Sequence, residues 1–284
     1  MSSVDQSLVN PPAVSKSRRF DAAPNSLCTV FERLDPDIRS QWAWDNYRTT
    51  IEAITREFDF ERLIEIGGGR DPLLTFSEVR ALGVDYTIND ISSVELRNAP
   101  GVYNKACFDI SGDLDAAHIK PESYDFAFSR MVFEHVKDVA RAWENLHTIL
   151  APGGVALAFV PTLYALPYVA NLMIPEWLSQ KIVSRLYPHR TADEDPKFPA
   201  YYDWCFASDK KVAPMLNAAG FSETLILPFF GHEYFASIPV LREADDAITR
   251  LAIRYDWRAL APYAFILARK QAASDVYCGE DQPS

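Results

Sequence analysis

The stretch Leu63-Ile64-Glu65-Ile66-Gly67-Gly68-Gly69-Arg70-Asp71-Pro72 limits what this chain can fold into more than any other. A short apolar run that ends in glycines reads as a strand buried on both faces, as in a parallel sheet. The acid at Glu65 sits near that strand's carboxyl end, and the turn after it needs residues without a Cβ. Such residues accept positive φ and let a ligand come close to the main chain. In an open α/β sheet, the crevice beyond the carboxyl end of the first strand is where a nucleotide-like ligand binds.

Spacing separates the ligands this crevice can take. A dinucleotide fingerprint has the form Gly-x-Gly-x-x-Gly, its third glycine letting the helix pack close to the strand. Here Gly67-x-Gly69 is followed at the third place by Pro72. A carboxylate just ahead of the loop also repels a pyrophosphate and suits a ligand with a cationic end. Further apolar runs follow. Residues 84–92 read as a second strand ending at Asp90, 106–110 as a third carrying Asp109, and 123–130 as a fourth leading into Met131-Val132-Phe133-Glu134-His135-Val136. Leu150-Ala151-Pro152-Gly153-Gly154 then precedes the apolar run 155–160. An acid after the second strand can accept hydrogen bonds from a ribose diol. Taken singly, Asp90 and Asp109 are explained at least as well by helix capping.

Glu65-x-Gly67-x-Gly69 resembles motif I of the class I methyltransferases that use S-adenosylmethionine (SAM), and the later runs resemble that family's next strands, including the Pro-Gly-Gly turn before strand five. The family often has glycine where this chain has Asp71. The resemblance implies a Rossmann-like α/β fold: a seven-stranded sheet with helices on both faces, strand six at 220–228, and strand seven at 261–269 running antiparallel between five and six. It implies SAM as the cofactor. Glu65, Gly67, Gly68 and Gly69 would form the loop, Asp90 would hold the ribose, Ile91 would pack on the adenine and Asp109 would accept from its amino group. Ile110, Ser129 and Arg130 would lie along the same edge.

Composition bounds the setting. A chain of 284 residues with 48% hydrophobic content can build one large α/β domain with an appended element. Cys28, Cys107, Cys205 and Cys278 have no paired spacing, so they read as free thiols of a reducing compartment rather than as a disulfide framework or a zinc site. Residues 1–24 are polar and broken by prolines, unlike a secretory signal, and no apolar run reaches the roughly 20 residues of a membrane span. A cytoplasmic location without stable membrane insertion is expected. The net charge of −11 argues against a nucleic-acid partner, which would require clustered Lys and Arg.

The expected organisation is a flexible leader at 1–25, a SAM-binding core with an N-terminal covering helix at 26–160, an insertion at 161–208, the rest of the core at 209–270 and a polar tail at 271–284. Residues 31–58 read as one helix with Trp42, Trp44, Tyr47, Ile51 and Ile54 on one face. Tyr47 there either reaches the methyl donor or packs in the core. The insertion carries Tyr164, Tyr168, Trp177, Tyr187, Tyr201 and Trp204. It reads as a helical, aromatic lid over the acceptor, with a small subdomain that could form a homodimer interface as the second, compatible reading. Its acidic run Asp193-Glu194-Asp195 reads as solvated, and no metal is assigned.

Methyl transfer from a sulfonium is an in-line displacement that needs alignment above all. A hydroxyl acceptor also needs a base for its proton. His189 in the insertion, His232 after strand six and His135 after strand four are the candidates, in that order, though each taken alone reads more readily as structural or surface. The segment Phe198-Pro199-Ala200-Tyr201-Tyr202 resembles one in bacterial methyltransferases of surface-glycan and secondary-metabolite pathways. The expected reaction is O-methylation of a small-molecule or glycan acceptor. A lipid-linked acceptor met through an interfacial helix at 163–186, and a SAM-binding scaffold without catalysis, stay open beside it.

Overall fold

The computed structural model describes residues 26–162, 199–232 and 239–273. The apolar runs become β1 (Arg62–Ile66), β2 (Asp85–Asp90), β3 (Asn104–Cys107), β4 (Tyr124–Arg130), β5 (Leu150–Pro161), β6 (Glu223–Phe229) and β7 (Tyr263–Arg269). They form one sheet in the order β3-β2-β1-β4-β5-β7-β6. The pairs from β3 through β5 are parallel, whereas β7 runs antiparallel to both β5 and β6. Strands β1 to β5 therefore point the same way, and β6 joins them. Their carboxyl ends share one edge, which carries Gly67, Asp90, the turn after Arg130, Thr162 and Phe230.

Alternation along the strands feeds two hydrophobic layers. Ile64, Ile66, Ala127, Ala156 and Ala158 face α5 (Val139–Ile149) and α6 (Asp209–Ala218). Their neighbours Leu63, Phe126, Phe128, Leu157 and Phe159 face α1 (Leu27–Leu34) and α2 (Ser40–Glu57). Helix α5 is built for this burial. Val139, Ala142, Trp143, Leu146 and Ile149 lie on one stripe, and Asp138 caps the start by accepting from Arg141 N–H at 3.0 Å. Each large apolar side chain so buried stabilises the fold by about 1.5–3 kcal/mol.

Several expected boundaries shift. The single helix at 31–58 is two, because Asp35 turns into the left-handed region (φ 45°) before Pro36, whose ring cannot donate into a continuing helix. Strand three stops at Cys107, so Asp109 lies beyond it. Strand six starts only at Glu223 and strand seven at Tyr263. The Pro-Gly-Gly segment is a bulge within β5 rather than a turn ahead of it. Leu150 already pairs with Tyr124, and the register then jumps so that Val155 faces Phe126.

The end of the insertion belongs to the core. Cys205 and Ala207 are buried with α5 and α6, and Tyr202, Trp204 and Phe206 pack against them. The leader, residues 163–198 of the insertion with His189, and the tail from 274 lie outside the described residues. No helix among the described residues is long and apolar enough to cross a membrane.

Candidate active site

The glycine loop turns at Gly67 (φ 73°), where a Cβ would come within 2.5 Å of Val132 Cγ2. Gly68 N–H donates to the Asn89 carbonyl at 2.9 Å. Gly69 (φ 49°) backs onto Asp90, whose Oδ2 would be 3.0 Å from an added Cβ. The loop is thus wedged between the exit of β4 and the end of β2, with Gly67 exposed and Gly68 and Gly69 buried. No helix begins at the position of a dinucleotide fingerprint's third glycine. After Pro72 the chain folds back, and α3 (Phe76–Leu82) starts from a capping box between Thr75 and Glu78.

Glu65 sets that path. Its Oε2 accepts from Leu73 N–H at 2.9 Å and from the Tyr86 hydroxyl. Burial pushes this carboxyl up, and those two donors pull it back. It is 4% exposed, so in this structure Glu65 serves the loop's shape rather than an open ligand face. Arg70 closes the outer side with a bidentate pair to Glu95 at 2.5 and 2.6 Å.

Beyond β2, Asp90 is half-buried, and Oδ1 accepts from Ser92 N–H at 2.7 Å. Burial pushes its carboxyl up, Glu95 adds to this, and the Ser92 N–H opposes it. Ser92, not Asp90, caps α4 (Ser93–Asn98), and the Asp90–Ser92 contact is a local turn ahead of that helix. Ile91 beside it is 61% exposed, an apolar side chain that nothing in the protein covers among the described residues. Asp109 is exposed, and its Oδ1 accepts from both the backbone N–H and the hydroxyl of Ser111 at 2.8 Å, as a turn-forming acid does.

Three of the expected cofactor residues are buried. Ile110 packs in the core, because its position next to Asp109 turns it inward, and its carbonyl accepts from Asn145 at 2.8 Å. Tyr47 is 1% exposed among Phe159 and Phe265, and its hydroxyl donates to the Ser129 carbonyl at 2.6 Å. The side chain of Ser129 is buried too, its Oγ without a hydrogen-bond partner among the described residues. Only Arg130 of this pair is exposed at the edge.

After β4 the chain makes a left-handed turn at Met131 (φ 57°), whose N–H donates to the Phe159 carbonyl at 2.8 Å. That turn lays Val132 on Gly67 and leads into a single helical turn, Phe133–His135. Glu134 is 4% exposed, and its Oε2 has no hydrogen-bond partner among the described residues. Burial pushes its carboxyl up to about 7. Its backbone carbonyl accepts from the N–H groups of Tyr201 (2.7 Å) and Tyr202 (3.2 Å), where the insertion returns. His135 Nδ1 lies 3.0 Å from the Pro199 carbonyl and Nε2 lies 3.8 Å from Glu134 Oε1. Glu134 was not among the residues expected from sequence. The available signal was an acid inside the apolar turn Val132-Phe133-x-x-Val136.

His232 has a different setting. Its Nε2 is 3.2 Å from Asp245 Oδ1 on α7 (Pro239–Arg254), and burial lowers the imidazole while Asp245 opposes that. With β5 and β7 lying between β4 and β6, it is roughly 14 Å to the side of the β4 exit. An open cleft of about 580 Å³ lies between Thr162, Phe206–Lys211 and Asp256–Leu260 and touches none of the glycine loop. Among the described residues, no three His, Cys, Asp or Glu side chains converge as a metal site.

The residues present fit SAM: a tight glycine turn, a half-buried acid backing onto it, and an exposed isoleucine beside it for an adenine ring. A sheet with this strand order and an antiparallel seventh strand, carrying this loop after its first strand, defines the SAM-dependent class I methyltransferases. The chain belongs to the methyltransferase-domain family, whose model matches residues 37–221. It is 30% identical over 114 residues to a polyketide synthase-nonribosomal peptide synthetase of Aspergillus clavatus, over 37% of this chain and 3% of that protein. It is also 29% identical over 150 residues to an uncharacterized protein of Mycobacterium tuberculosis found in strains CDC 1551 and H37Rv, over 48% of each chain. The match therefore spans about half the length of the mycobacterial relatives and a small fraction of the fungal one. Among solved structures, a SAM dependent methyltransferase from Archaeoglobus fulgidus aligns with a TM-score of 0.46 at 16% identity, over 81% of this chain and 100% of that one.

Proposed function

We propose that this protein transfers the methyl group of SAM to a hydroxyl of a small-molecule acceptor, either sugar-like or from secondary metabolism. The observation that carries the donor half is the pairing of half-buried Asp90 with exposed Ile91 on the lip of the glycine loop. Asp90 would accept from the ribose hydroxyls, Ile91 would lie against the adenine, and the Gly67–Gly69 main chain would allow the close approach of the rest. SAM, when bound, supplies an activated methyl on a cationic sulfur. What remains for the protein is to align the acceptor oxygen, keep water out and receive a proton.

The acceptor half rests on charge and kinship. A net charge of −11 disfavours a polyanionic acceptor such as nucleic acid. The stretch shared with a fungal polyketide–peptide synthase supports a small metabolite. The reading is tested by calorimetric titration with SAM and S-adenosylhomocysteine, followed by assay of S-adenosylhomocysteine release with methyl glycosides and polyketide alcohols. Donor binding with acceptor-dependent release supports it. Tight donor binding with no release across the panel would favour a scaffold instead.

A further inference from the structure

We propose that Glu134 takes the proton of the acceptor hydroxyl on its Oε2 and that His135 relays that proton to solvent, an inference that rests on the hydroxyl-methylation reading above. Glu134 sits where such a base is needed. Val132, two residues earlier, packs on Gly67 of the donor loop, while the Glu134 carbonyl holds the N–H groups of Tyr201 and Tyr202. The residue therefore stands between the donor loop and the chain that returns from the insertion. A carboxyl oxygen that is buried and unsatisfied is costly, and native structures rarely leave one without a use. The donor that would satisfy it here is an O–H brought in by a ligand.

The neighbouring imidazole is set to complete the transfer. A carbonyl can only accept, so the contact between His135 Nδ1 and the Pro199 carbonyl places the proton on Nδ1. That leaves the lone pair on Nε2, which faces Glu134 Oε1 at 3.8 Å. His135 is exposed enough to release a proton outward, whereas Glu134 is not. In the transfer, the acceptor O–H bond breaks as the new O–C bond forms and the S–C bond breaks with its electron pair going to sulfur. The hydroxyl proton ends on Glu134 Oε2; a turn of the carboxyl that closes the 3.8 Å gap then hands it to His135 Nε2, and it leaves from the imidazolium to water. Among the described residues, the Cys205 thiol is a further titratable group beside Glu134, with Asp203 acting on it in turn. The Cys205 thiol is pushed up by burial and then by the charges of Glu134 and Asp203, so it stays protonated and does not compete as the base. Burial holds the carboxyl near neutrality, which matches a base that must both take and give up a proton at working pH.

The test uses the full chain with S-adenosylhomocysteine bound, and with SAM plus methyl glycosides as acceptor probes. Infrared difference spectra between wild type and Glu134→Gln should show a protonated carboxyl band that fades as pH rises through about 7. Glu134→Gln should lower kcat roughly 100-fold while S-adenosylhomocysteine affinity stays within about threefold, and Glu134→Asp should recover part of the rate. Retention of wild-type kcat by Glu134→Gln, or absence of the band, overturns the assignment and leaves the methyltransferase reading standing. Wild-type protein that binds S-adenosylhomocysteine, shows the band and methylates no glycoside or other hydroxyl overturns the hydroxyl reading and this role with it.

Discussion

Glu134 and Asp90 are both carboxylates on the carboxyl edge, and burial pushes both upward, but their surroundings give them different work. Asp90 keeps one oxygen on Ser92 and a face toward the glycine loop, whereas Glu134 is enclosed with an oxygen unsatisfied among the described residues. The enclosure has a measurable consequence. A carboxyl raised from its ordinary 4.5 to about 7 favours the fold when protonated. That contribution is fully present below about pH 4.5 and is lost as pH rises through about 7. Glutamine at 134 cannot ionise. Urea denaturation should therefore show Glu134→Gln gaining on wild type by about 3 kcal/mol between pH 4.5 and pH 8. A constant difference across that range would contradict the buried, titrating carboxyl. Gly67 makes a second case. Its φ of 73° and the 2.5 Å approach to Val132 both oppose a side chain. Gly67→Ala should cost about 1–3 kcal/mol in a thermal melt and displace the β4 exit turn, so donor affinity should fall with it.

At the scale of elements, the turn that carries Glu134 depends on α5. Trp143 is 1% exposed and lies 5.2 Å from Phe133 and 5.9 Å from Phe221. Trp143→Ala should cost about 3–5 kcal/mol in urea and, by loosening Phe133, lower turnover more than donor binding. Equal loss of both would mean that the turn is held by other contacts. Elements were legible in the sequence where one physical signal dominated. The apolar runs of β1, β4 and β5 leave only a buried strand as a reading, and the acid at 90 marks the end of β2. Helix 31–58 misled because its apolar face runs on past the point where Asp35 and Pro36 break the backbone. Strand β5 was misjudged because Pro-Gly-Gly signals a turn equally well when it forms a bulge. Within the candidate site, the resemblance pointed to Glu65, the glycines, Asp90 and Ile91, and the structure sets them around one loop. Ile110, Tyr47 and Ser129 are buried instead, since which way a side chain turns is decided by tertiary packing. Glu134 went unseen for the same reason, as only burial distinguishes it from a solvated acid.

At the scale of the whole molecule, the sheet sorts the work by strand. Strands β1 and β2 end at the donor loop, the β4 exit carries Glu134 and His135, and β6 leads to the separate His232–Asp245 pair. That last pair lies three strands from β4, so His232→Ala should reduce stability by about 1–3 kcal/mol and leave donor affinity unchanged. A selective loss of donor binding in that variant would redraw the site. The central claim is that the crevice between Gly69 and Asp90 holds the adenosine of SAM. Calorimetric titration of S-adenosylhomocysteine into wild type and Asp90→Ala tests it most directly. Binding to wild type is expected, with affinity weakened roughly 30- to 150-fold in Asp90→Ala and a stability loss of only about 1 kcal/mol from the Ser92 hydrogen bond, since charge-assisted hydrogen bonds to ribose are worth about 2–3 kcal/mol. Equal affinity in the two proteins would contradict it.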